Sequence, residues 1–125
     1  MFTHVMLGAN DIPKAKIFYD ALFAAAGGKE GTLTPDNKRI VYTHNGNRLI
    51  ITTPANGEPA CPANGGTIGF QLDSGEMVDA WHAAGIANGG TTCEDPPGPR
   101  PAYKLHLGYL RDPDGNKLCG AYWMG

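Results

Sequence analysis

Apolar residues recur along the chain with two periods, and the succession of the two periods occurs twice. Residues 1–9 read as a buried strand. Asn10 and Asp11 then supply a helix cap, and Pro13 falls in the first turn, where its missing N–H costs little. Over 12–26 the spacing is helical: Ile12, Ala15, Tyr19, Leu22, Phe23 and Ala26 share one face, while Lys14, Lys16 and Asp20 share the other. Gly27-Gly28 ends that helix. From Gly31 to Thr53 the period falls to two. Strands are expected over 39–43 and 48–53, joined at Asn45-Gly46-Asn47, a hairpin signal. Residues 54–66 are rich in Pro, Gly, Asn and Ala and read as a linker.

The pattern then restarts. Residues 67–72 read as a strand, and Asp73 and Ser74 cap a second helix, with Glu76 placed to complete a capping box with Asp73. Met77, Val78, Trp81, Ala84 and Gly85 form its buried face, and Gly89-Gly90 closes it. A proline-rich loop is expected at 96–101. Strands follow at 105–111 and 117–123 around the turn Asp112-Pro113-Asp114-Gly115-Asn116. His4-Val5 matches Thr67-Ile68, Phe18-Tyr19 matches Trp81-His82, and Gly46 to Ile50 matches Gly115 to Cys119. The halves are therefore a repeat, each a strand, a helix and about three strands. One helix on an open sheet cannot close its own core. The expected fold is α+β: two tandem βαβββ modules forming a curved mixed sheet around a cleft, helices outside. Module 1 spans about 1–54, the linker about 55–66 and module 2 about 67–125 of a single domain.

Composition changes this picture little. The chain has 125 residues, 42% of them hydrophobic, enough for one core. The net charge of -2 comes with no basic stripe, which argues against nucleic acid. No apolar run approaches the roughly 20 residues needed to span a bilayer. No secretory leader is apparent at the start, so a cytoplasmic protein is expected. Cys61, Cys93 and Cys119 are an odd, widely spaced set without a CxxC pair, consistent with reduced thiols.

The opening H-V-x-L-x-x-x-D, the helix carrying F-Y, and the closing R-D-P-D-G-N-K-L, Arg111 to Leu118, resemble the vicinal oxygen chelate superfamily of glyoxalases, bleomycin-resistance proteins and extradiol dioxygenases. The stretch Gly98, Arg100-Pro101, Tyr103 is similar to a G-x-R-P-x-Y loop in small, lactoylglutathione-lyase-like bacterial members. The resemblance implies a cup that holds one divalent metal (Fe, Mn, Ni or Zn) through four strand positions, two per half. It also implies a homodimer. In this sequence the four positions fall on His4, Ile50, Thr67 and Cys119, where relatives carry His or Gln and Glu. Only His4 is an ordinary ligand. Cys119 can ligate as thiolate, and Thr67 is a poor donor for a divalent ion.

Each candidate also has an ordinary structural role. His4 is a ligand or a hydrogen-bonded histidine lining an organic-ligand cleft. His106 shares a strand face with Gly108; were that face concave, it would supply an acid/base or a replacement ligand, and otherwise it is a surface histidine. Cys119 is a small core residue or a nucleophile. Arg100 and Tyr103 sit on a loop that can cover a site, Arg100 as a clamp for carboxylate or phosphate and Tyr103 by stacking, or simply pack that loop. The expectation is a protein that binds a small organic molecule in its cleft with no metal cofactor, through His4, Thr67, Arg100, Tyr103 and Cys119. The alternatives are a metal-dependent lyase or dioxygenase with a rearranged set such as His4, His106 and Cys119, or metal-free acid/base catalysis by His4 or His106.

Overall fold

The computed structural model describes residues 1–125. β1 (Val5–Gly8) leads into α1 (Ile12–Ala25), whose first turn is capped by the Asp11 carboxylate accepting from the Lys14 N–H at 3.0 Å. All six residues assigned by spacing to the apolar face of this helix are buried. β2 (Thr32–Leu33), β3 (Arg39–His44) and β4 (Asn47–Thr52) follow. The hairpin between β3 and β4 turns on Asn45 and Gly46 with φ of 49 and 79 degrees, the pair of positive values that a type I′ turn needs. These strands form a sheet in the order β1-β4-β3-β2, with β1 parallel to β4.

The second half repeats the plan with β5 (Ile68–Gln71), α2 (Gly75–Ala87), β6 (Thr91–Thr92), β7 (Gly98–Arg100), β8 (Leu105–Arg111) and β9 (Lys117–Trp123). Its order is β5-β9-β8-β6, and β7 also pairs with β8. β6 and β7 are thus two pieces of one edge strand interrupted at 93–97. The loop expected at 96–101 is therefore partly strand. Pro99 is tolerated there because an edge strand leaves one side without ladder bonds. The cap of α2 also differs from the expected box: Ser74, not Asp73, accepts from the Met77 N–H at 3.0 Å.

Neither sheet closes into a barrel, and both helices lie on the same side. One cluster of 17 buried residues draws from both halves. α1 and α2 pack on each other where α2 carries Gly85; a Cβ there would stand 2.4 Å from Leu110 and 3.3 Å from Leu22. The Asp112-Pro113-Asp114-Gly115-Asn116 turn ties the halves together. Buried Tyr19 of α1 donates to Asp112 Oδ2 at 2.6 Å, and Asn116 Nδ2 donates to the Gly8 carbonyl at 3.0 Å. The linker closes the same end through Asn10, which exchanges two hydrogen bonds with the Ala60 backbone. β1 and β5 are the inner edges of their sheets and do not pair with each other.

Candidate functional site

The faces of the strands follow from register. Leu49 and Ile51 are buried under α1, so Ile50 between them points to the opposite, open face, in register with Met6 of β1. In the second half, Ile68 and Phe70 pack toward the helices while Thr67, Gly69 and Gln71 are exposed on the open side. Gly69 is in register with Cys119, and Cys119 with Tyr109. The four positions singled out in the sequence therefore share the open side of the two sheets. A Cβ added at Gly69 would meet nothing within 4 Å, so this face is open beside the β1–β5 seam. A cavity of about 530 Å³ lies in the seam, within the usual range for small-molecule sites. His4, Arg48 and Gly69 line it on one side and Phe23, Tyr42, Leu49 and Phe70, which pack toward the helices, on the other; Ile50, Thr67 and Cys119 do not line it.

His4 is exposed at this cavity, its Nδ1 2.8 Å from Thr3 Oγ1. Ile50 presents hydrocarbon. Thr67 is exposed just before β5. Cys119 is 8% exposed, and burial pushes its thiol above its usual range, which disfavours the thiolate a metal would need. Nowhere in the chain do three or more His, Cys, Asp or Glu side chains converge as a metal site. The donor set does not fit the divalent metal that the resemblance implies.

His106 is not part of the open face. It alternates with Leu105, Leu107 and Tyr109, and its own face packs under α2: a Cβ at Gly108 would meet Val78 at 3.3 Å. Its Nε2 lies 2.9 Å from Asp79 Oδ1 on α2, and its ring fills the space beside Gly75. A catalytic or replacement-ligand role beside His4 is thereby corrected; the two-residue period of β8 sends its side chain to the helix side.

Arg100 does reach the open face, through its register with Leu105. Its guanidinium donates to the carbonyls of Gly98 and Pro96 at 2.8 Å and of Asp95 at 3.4 Å, pinning the strand interruption. Tyr103 is 70% exposed in a short 3₁₀ turn, Pro101–Tyr103. The residue that sequence reasoning missed is Tyr109. It stands beside Cys119, and burial, with Cys119 next to it, pushes its phenol above its usual range. Lys117 lies over its ring, 5.1 Å from the centroid, and pairs with Glu94. The signal was available: the Asp112–Asn116 turn sets β8 against β9 and places Tyr109 opposite Cys119.

The sequence model of the Glyoxalase/Bleomycin resistance protein/Dioxygenase superfamily matches residues 1–119. The crystal structure of a glyoxalase/bleomycin resistance protein from Albidiferax ferrireducens T118 is similar over 98% of each chain, at 53% identity and a TM-score of 0.91. Two more distant structures share the fold. Lactoylglutathione lyase from Agrobacterium tumefaciens has 23% identity and a TM-score of 0.68 over 98% of this chain and 92% of its own. The fosfomycin resistance protein FosX from Listeria monocytogenes, complexed with Mn(II), has 21% identity and a TM-score of 0.70 over all of this chain and 90% of its own. No curated protein matches the sequence. With the superfamily pattern covering nearly the whole chain and the paired βαβββ sheets in place, the chain belongs to the Glyoxalase/Bleomycin resistance protein/Dioxygenase superfamily.

Proposed function

We propose that this protein holds a small organic molecule on the open face of its sheets without the divalent metal of its catalytic relatives. The observation that carries the reading is the side chain of Ile50. It stands on the open face at a ligand position, flanked by Met6 and Val41 in register. A hydrocarbon floor there contributes to binding the apolar body of an organic molecule and nothing to a metal's coordination sphere. Thr67 and buried Cys119 on the other half add no second strong donor. His4 serves as a polar group at the rim, able to donate or accept. The reading extends to a cytoplasmic homodimer.

The test is direct. Protein purified without chelators is assayed for metal, melted with and without Mn, Fe, Ni, Co or Zn, and titrated with the fluorescent apolar probe N-phenyl-1-naphthylamine. Expected are less than about a tenth of an equivalent of metal, an unmoved melting temperature and saturable binding of one probe per chain. Ile50→Trp, which fills the floor, abolishes that binding. Stoichiometric metal that is released by His4→Ala refutes the proposal.

A further inference from the structure

The chain carries a net charge of -2 and four arginines, Arg39, Arg48, Arg100 and Arg111. Register puts all four on the open face. Arg39 is opposite Thr52 and donates to its hydroxyl at 3.2 Å. Arg48 precedes buried Leu49 and so points away from the core. Arg100 is in register with Leu105, and Arg111 with Lys117. None of the four is in an ion pair: the ion pairs of the molecule are Lys16–Asp20, His106–Asp79 and Lys117–Glu94. None of the nine strands contains an Asp or Glu. The acids that border the face are Glu94, held by Lys117, Asp95 beside the Arg100 guanidinium, Asp73 at the end of the cavity, and Asp36 in the turn before Arg39.

The charge is therefore segregated across the sheets. The open face has an apolar middle of Met6, Val41 and Ile50 with cations toward both ends, while the excess of acids lies on helices, turns and linker. Of the arginines, Arg48 makes no hydrogen bond to the protein and lines the cavity together with His4. Arg100, Arg39 and Arg111 are held by carbonyls or a hydroxyl, which fixes their position without an ion pair; Asp36 lies close enough to Arg39 for the two charges to interact. A guanidinium in that state favours a planar anion such as carboxylate, or a sulfonate or phosphonate.

We infer that the molecule bound on this face is an organic anion, its apolar body on the Met6–Ile50 floor and its charged group at Arg48. This rests on the cleft reading above and deepens it. The class excludes organic cations and neutral apolar molecules as preferred ligands, because each leaves the arginine charge uncompensated.

The test uses two probes with the same aromatic body, 8-anilinonaphthalene-1-sulfonate and neutral N-phenyl-1-naphthylamine, titrated by fluorescence on the full chain. The sulfonate is expected to bind about tenfold more tightly, the range of one charge-assisted contact. Arg48→Gln removes most of that advantage and leaves the neutral probe unchanged; Lys14→Gln, which takes the same charge from the helix side, changes neither. In the wild type, raising salt from about 0.02 M to about 0.5 M weakens the sulfonate alone. Equal binding of both probes, or an Arg48→Gln variant with the advantage intact, overturns the anion inference and leaves the cleft reading standing. Binding of neither probe overturns both.

Discussion

Replacing Tyr19 with Phe isolates the clamp between the two halves. The Tyr19 ring is fully buried, and its hydroxyl donates to Asp112 Oδ2 at 2.6 Å. Removal leaves the ring packed and the carboxylate with three donors: Asn116 Nδ2 on Oδ2 at 2.8 Å, and the N–H groups of Asp114 and Asn116 on Oδ1, both at 2.9 Å. One hydrogen bond to a charged acceptor contributes about 2 kcal/mol. For 125 residues, at about 2.1 cal/mol/K each, that is a fall of about 8 °C in melting temperature. The loss is pH-dependent. Burial pushes the Asp112 carboxyl above its usual range, and the Tyr19 and Asn116 bonds oppose that rise. An acid whose folded pKa is raised binds its proton more tightly in the folded state. Its ionisation is thus a destabilising term, absent below the unfolded value of 3.8 and complete above the folded value. Without the Tyr19 hydroxyl the folded value rises further, so the penalty of Tyr19→Phe is full at pH 7 and shrinks to less than about 1 kcal/mol near pH 3. On the alkaline side the sign reverses its origin. Tyr19 is held well above 10.0, so above pH 10 only the unfolded chain ionises it and wild-type stability falls with pH. Tyr19→Phe lacks that contribution, and its deficit narrows there too. Urea melts at pH 3, 7 and 10.5 check this. A loss below about 0.5 kcal/mol at pH 7, or one that is the same at all three values, refutes a charge-assisted clamp.

Gly85→Ala is expected to destabilise by about 1–2 kcal/mol despite the better helix propensity of Ala, because its Cβ lands 2.4 Å from fully buried Leu110; chemical denaturation reads the sign. With Ellman's reagent, exposed Cys61 reacts first and Cys119 last, since burial both shields the Cys119 thiol and raises its pKa; simultaneous reaction of the two contradicts the placement of Cys119. His106→Ala leaves binding of both naphthyl probes unchanged and lowers stability by less than about 1 kcal/mol through its pair with Asp79, which is 55% exposed; a change in probe affinity contradicts its position under α2.

The elements were largely legible in the sequence because they rest on local physics. The face of α1, the Asn45-Gly46 turn and the strands at 105–111 and 117–123 follow from periodicity and from residues that tolerate positive φ. Repetition gave the paired modules. Local rules failed where two local solutions compete: Asp73 and Ser74 are both good caps, and a Pro-rich stretch can still pair at a sheet edge.

What alternation determines is that a strand has two faces and which residues share each one. It does not say which face turns outward, since that depends on where the helices pack, a contact between residues far apart in sequence. His106 and Tyr109 lie three positions apart on one strand, and only the docking of α2 sends the first under a helix and the second to the open face. The same docking gathers arginines from four strands onto one face and joins Tyr19 to Asp112 across 93 residues. The sequence alone determined the repeat of modules and the turns; the tertiary structure decided which side chains share the open face, because burial and charge at a site are sums over neighbours that the chain order does not contain.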